Sequence, residues 1–237
     1  MSVRHGAIGE RRYCFASKVC LVTLPALTRR SISVGEISIL LDVPSSSDSV
    51  LEHSVAGLSE NPYWGVLWDA AVPMARYLLG RHWHVDANSK ALELGCGLGL
   101  TGICAWQAGI PVQMTDIVPE ALQLAQHNAR LNGIVDCSTS VLDWNQPSTS
   151  LYSLIFACDV LYERSQHAGL LKFLRSASHS ETEIHIGDPG RQSSLLFRDD
   201  AVAAGFHVDV LQEDGAPMEA FVPQRFQVLV LRPALHQ

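Results

Sequence analysis

The chain has 237 residues, 47% of them hydrophobic, and a formal charge of −7 from 17 basic and 24 acidic side chains. That length and apolar content suit one substantial buried core, and the acidic balance argues against a broad phosphate-gripping nucleic-acid surface, leaving room only for a small local one. No apolar run approaches the roughly 20 residues of a membrane-spanning helix, so no membrane partner is expected.

The first 33 residues carry Arg4, Arg11, Arg12, Lys18, Arg29 and Arg30 against a single acid, Glu10. This Arg- and Ser-rich start fits an organelle transit peptide or a plain N-terminal arm. The arm is the preferred reading, because residues 19–27 read as an apolar strand and alternation resumes at 32–41 without a break. Residues 32–41 predict a strand or hairpin ended by Pro44 and the serines at 45–47, and 44–61 a polar loop. Residues 1–62 are therefore expected to be a β/helical extension. An amphipathic helix is predicted over 66–79, stopped by Gly80.

From residue 90 the pattern becomes regular. Strands are predicted at 90–94, 111–115, 137–142, 152–157 and 182–187, alternating with helices at 99–108, 119–131, 163–176 and 193–204. Residues 206–211 and 225–231 are then two successive strands. The expected fold over 63–237 is α/β: a doubly wound, seven-stranded, mostly parallel sheet with a C-terminal antiparallel hairpin. The six cysteines (Cys14, Cys20, Cys96, Cys104, Cys137 and Cys158) form no C-x-x-C pair and no zinc-spaced cluster with histidine. His82 and His84 flank Trp83 with no third ligand nearby, so no metal is expected. Reduced core cysteines fit a cytoplasmic protein, with an organelle left open by the basic start. Oligomeric state is not legible.

Ligands of an open α/β sheet sit beyond the carboxyl ends of its strands. Four predicted strand ends carry chemistry. The first reads Glu93-x-Gly95-Cys96-Gly97-x-Gly99, where glycines let the backbone turn sharply and approach a nucleotide-like ligand. Asp116 follows about 20 residues later, the spacing of a ribose-binding acid. Asp143-Trp144 offers a polar group and a flat ring for an adenine. Cys158-Asp159-Val160-Leu161-Tyr162 lies where the reactive end of a ligand is expected. Each has a plainer reading: Asp116 or Asp159 as a helix cap, Trp144 as a core aromatic. Their order along the sheet favours a joint site.

Residues 63–192 resemble the class I methyltransferases that use S-adenosylmethionine (SAM), specifically the seven-β-strand protein-lysine group, methyltransferase family 16. The segment from Trp64 to Leu78 is similar to the group's pre-sheet helix, whose cofactor-lining tryptophan is matched by Trp68. Asp159-Val160-Leu161-Tyr162 resembles its D-x-x-Y signature. Gly187-Asp188-Pro189-Gly190-Arg191 is similar to a segment of the branch acting on the electron-transfer flavoprotein β subunit, or is simply a Pro-Gly turn. Val160-Leu161 departs from the Met-Phe type of pair in that branch, and Cys158 stands where relatives often carry a small residue.

The resemblance implies an enzyme that transfers methyl from SAM to a lysine of a protein partner, leaving S-adenosylhomocysteine (SAH). It places Trp68, Glu93, Gly95, Cys96, Gly97, Gly99, Asp116, Asp143, Trp144 and Cys158 at the cofactor, with Asp159 and Tyr162 catalytic. A small-molecule N-methyltransferase acting on an amine or pyridine would use the same pocket and is the alternative. A dehydrogenase is disfavoured by Glu93 and the terminal hairpin, and a non-catalytic scaffold by the intact glycine turn and Asp116. Nucleic-acid methylation is disfavoured because Asp159-Val160-Leu161-Tyr162 lacks the paired prolines that aim at flat amino groups.

Overall fold

The computed structural model describes residues 24–46, 62–83 and 91–234; the expectations for the basic start and for most of the 44–61 loop lie outside them. Two antiparallel strands come first, β1 (Leu27–Val34) and β2 (Ile37–Pro44), joined by a tight turn that pairs Val34 with Ile37. The predicted strand or hairpin is thus a hairpin, and it starts earlier, at Leu27.

A short 3-10 turn (Pro62–Gly65) precedes α1 (Ala71–Leu79). The helix expected from residue 66 begins only at Ala71, and Pro73 supplies the reason. Proline has no N–H to donate, which is harmless in a first helical turn and costly further in. Residues 66–70, including Trp68, are consequently left as an irregular connection.

Next come β3 (Ala91–Leu94), α2 (Leu100–Gln107), β4 (Val112–Asp116), α3 (Pro119–Leu131), β5 (Ser138–Val141) and β6 (Tyr152–Cys158). A 3-10 turn (Arg164–Gln166) leads into α4 (His167–Ala177), β7 (Ser178–Asp188), α5 (Gln192–Ala203), β8 (Phe206–Leu211) and β9 (Gln227–Pro233). The seven strands order as β5-β4-β3-β6-β7-β9-β8. Only β9 runs against its neighbours. This is the Rossmann-like sheet expected, its last two strands antiparallel. The chain leaves β3 toward β4 and β5, then returns to the other side for β6 and β7, so the switch point lies between β3 and β6.

Two apolar layers cover the sheet. Leu154 and Phe156 of β6 join the layer under α1, α2 and α3, while Ile155 and Ala157 join the layer under α4 and α5. Central parallel strands are buried on both faces, which explains their continuous apolar runs. No helix among the described residues is long and apolar enough to cross a membrane.

The hairpin is clamped to the sheet layer. Val34, Ile39, Leu41 and Val43 share the core with α1 and α3. The Asn128 side chain accepts from Asp42 N–H at 2.8 Å and donates to the carbonyls of Asp42 and Leu98 at 3.1 and 3.0 Å. Arg29 forks onto the Asp42 carboxylate at 2.8 and 2.9 Å, and His127 Nε2 lies 2.7 Å from Oδ2. Arg29's hydrogen bonds, assisted by His127, hold the Asp42 carboxyl at about 2 against the opposing effect of its burial.

A depressed carboxyl pKa adds stability that is present above the unfolded value and is lost as pH falls through the folded one. Discounted for the solvent-facing Arg29, Asp42→Asn should therefore cost about 1 kcal/mol at neutral pH. The cost should fade from pH 4 toward about 2 in denaturant titrations. A difference that stays constant over that range would show that the ion pair contributes nothing.

Candidate functional site

A cavity of about 470 Å³ opens beyond the carboxyl ends of β3, β4, β5 and β6, at the switch point. Trp68, Gly95, Cys96, Gly97, Asp116, Asp143, Trp144, Cys158, Asp159 and Tyr162 all line it. The sequence is thus sufficient to gather ten of its twelve candidate residues into one wall, and the remaining two, Glu93 and Gly99, lie outside the lining.

Gly97 sits with φ at +49°, and a Cβ there would meet the Trp64 carbonyl oxygen at 3.1 Å. A side chain would therefore be strained as well as crowded. The turn is held open by Asp116: its Oδ2 accepts from Gly97 N–H and its Oδ1 from Val118 N–H, both at 3.0 Å. Burial pushes the Asp116 carboxyl up, opposed by those backbone N–H groups. Val118 caps α3, with Pro119 at its first position, so Asp116 is not the helix cap.

The two exceptions have physical causes. Gly99 faces α3, where a Cβ would stand 3.0 Å from the Ala125 methyl, so it serves the α2–α3 contact. Glu93 lies beneath the first turn of α2. Its carboxylate accepts from the Thr101 hydroxyl, and its Oε2 is buried without a partner. Burial raises its pKa to about 7. An acid under a helix N-terminus steadies that end, and Glu93 supports the glycine turn from below.

Asp143 Oδ1 accepts from the Asn145 backbone and side-chain nitrogens at 2.9 Å, while Trp144 reaches within 3.9 Å of the Cβ position of Gly95. Burial pushes the thiols of Cys96 and Cys158 well up, which keeps them protonated and inert. Along the rim, Tyr63 makes edge contacts with Trp68 (5.5 Å between centroids) and with Tyr162 (6.1 Å). Tyr162 is 52% exposed, so the aromatic rim faces solvent.

Asp159 is the one non-glycine lining residue among those described with a left-handed backbone. Its φ of 55° is left-handed, its N–H donates to Gly187 carbonyl at 2.8 Å, and its carboxylate is nearly enclosed. Such strain in a non-glycine residue costs about 1 kcal/mol or more and concentrates at working sites. Arg191 donates to it through Nε and Nη2 at 2.9 and 3.0 Å. Arg191 received no role from the sequence, although it closes the Gly187–Arg191 segment quoted above. Tyr63 was missed as well, and its place beside Trp64 was the available signal.

The ionisable side chains of the wall are one-sided. Asp116, Asp143, Asp159 and Glu163 line the cavity, and among the described lining residues there is no Lys, Arg or His. Low-dielectric walls carrying one sign of charge focus their field on an opposite one. The described lining is thus formally negative, with one of its acids, Asp159, paired to Arg191 from outside it.

A family model described as lysine methyltransferase matches residues 57–194. An electron transfer flavoprotein beta subunit lysine methyltransferase of Danio rerio is 32% identical over 149 residues, which are 62% of this chain and 56% of that protein. A histone-arginine methyltransferase of Xenopus laevis is 30% identical over 120 residues, 48% of this chain and 51% of that one. The chain thus spans about half the length of these curated relatives. A ribosomal protein L11 methylase of Lactobacillus delbrueckii subsp. bulgaricus shares the fold with a TM-score of 0.53 at 22% identity, over 68% of this chain and 77% of that one.

Proposed function

The chain belongs to the lysine methyltransferase family, and on that premise we propose that it transfers a methyl group from SAM to a lysine side chain of a protein. The observation that carries this reading is the acid-only wall at the switch point. Both reactants are cations there, a sulfonium donor and a lysine ammonium.

The residues present fit the donor. The turn around Gly97 brings left-handed backbone packed on the Trp64 carbonyl into the cavity wall, and the buried Trp64 Nε1 has no partner among the described residues. Asp116 would take the ribose hydroxyls on its remaining lone pairs. Asp143 and Trp144 would take the adenine, and Gly95, Cys96 and Gly97 the methionyl end, with Trp68 and Cys158 closing the wall. The bound donor supplies an electrophilic methyl group.

Catalysis then reduces to placing and deprotonating the acceptor. A lysine ammonium has no lone pair and must shed a proton before attack, and that proton passes to water at the open rim. Asp159 would orient the amine, while Tyr63 and Tyr162 would flank its aliphatic stem with ring edges and faces. In this reading residues 63–237 form the transferase domain and 1–62 an extension. Free Cys96, Cys104, Cys137 and Cys158 suit a reducing compartment such as the cytoplasm.

The test is transfer of radiolabel from SAM into a lysate and into a purified electron-transfer flavoprotein β subunit, the substrate in the Danio rerio relative's name. Label recovered as methyl-lysine after hydrolysis is the expected result. Label confined to small molecules would favour the amine or pyridine alternative, and methyl-arginine would replace lysine as the acceptor.

A further inference from the structure

We propose that Arg191 is a positioning residue that gives Asp159 a permanent counter-charge, so that the reactive end of the cavity presents a balanced ion pair instead of a bare carboxylate. The proposal rests on the methyl-transfer reading above and assigns a role to a residue outside the cavity lining.

The geometry is over-determined. The Arg191 N–H donates to Asp188 Oδ1 at 2.8 Å, and the same oxygen accepts from Gly190 N–H and the Ser194 hydroxyl, also at 2.8 Å. Asp188 is fully buried at the end of β7. The loop that carries Arg191 is therefore anchored from behind, and its guanidinium meets both Asp159 oxygens in the fork geometry that favours arginine over lysine. The Asp159 side chain is only 5% exposed, whereas Arg191 is 38% exposed and reaches it from the solvent side. Among the described residues, Arg191 from the segment before α5, Asp188 from β7, and Cys158 and Tyr162 from its own strand end and loop act on Asp159, and Arg191 is the one cation of these four.

The chemical consequence concerns the acceptor's proton. An unpaired, enclosed carboxylate would hold the ammonium form of lysine, which cannot attack. In the transfer the nitrogen lone pair forms the N–C bond, and the C–S bond breaks with its pair retained by sulfur. A guanidinium already bound to Asp159 weakens the hold on the ammonium and favours the amine that carries the lone pair.

The same balance acts on any cation at this end of the cavity, which permits a test without the acceptor. Calorimetry on the full chain would compare affinities for SAM, which is cationic at sulfur, and SAH, which is neutral there. R191Q should raise the preference for SAM over SAH roughly tenfold, the effect of baring one unit charge in a partly enclosed site. R191K should stay near wild type, and the double variant D159N/R191Q should return to it. Should R191Q fail to fold, D159N gives the mirror reading, a preference lowered roughly tenfold by the unpaired guanidinium. An unchanged ratio in R191Q or D159N, or equal losses for both ligands, would overturn the proposal. Wild type that binds neither ligand would sink the methyl-transfer reading itself; wild type that binds both, with a ratio indifferent to Arg191, would remove only this inference.

Discussion

Asp159→Asn should lower kcat by roughly 100-fold or more while SAH affinity stays within about threefold of wild type. Asparagine tolerates the left-handed backbone that this position requires, at φ 55°. It also preserves the N–H bond to the Gly187 carbonyl, so the strand end keeps its shape. What disappears is the negative charge that pairs with Arg191 and that is proposed to orient an amine. Steady-state turnover set beside calorimetry on the same preparation separates the two roles. If SAH affinity falls as far as turnover, Asp159 serves the fold or the cofactor, and its assignment to the acceptor is wrong.

Asp116→Ala should cut SAH affinity by about 100-fold and lower stability, because the residue does two jobs at once. It is the expected partner of the ribose hydroxyls, and it accepts the buried N–H groups of Gly97 and Val118. Each donor stranded without a partner costs about 1–3 kcal/mol, and the one at Gly97 would loosen the turn proposed to hold the ligand. Asp116→Asn keeps an acceptor oxygen and should recover part of the stability but less of the affinity. Thermal denaturation and SAH titration of both variants would check this pairing. Unaltered affinity in Asp116→Ala would remove the residue from the site.

The sheet was legible because its evidence is local and repetitive: apolar strand runs, amphipathic helices, and glycines where backbone must turn. Asp116 was legible for a related reason, since its distance from the glycine turn is fixed by one helix and one strand. Glu93 falls outside the cavity lining, and the sequence did not show it, because alternation within a four-residue strand buried on both faces carries no record of which neighbour an acid meets. It meets the Thr101 hydroxyl beneath α2. Gly99 shares the spacing of its neighbours but answers to Ala125, a demand set by helix packing. The start of α1 depended on the missing N–H of Pro73, a single-residue effect that amphipathic periodicity does not register. Arg191 pairs with an acid 32 positions away, and only the crossing from β6 to the end of β7 creates that pair.

Asn128 has reach beyond its own helix. One amide holds the peptide of Asp42 in the N-terminal hairpin and the carbonyl of Leu98, two residues before the helix that opens from the glycine bend. A ligand that steadied this bend would be expected to steady the hairpin too, read as slower amide exchange at Asp42, and removal of the hairpin would then weaken ligand binding by the same factor, since linkage is reciprocal. The amino-terminal ribbon is thereby a thermodynamic partner of the cleft, though it contributes no side chain to its walls.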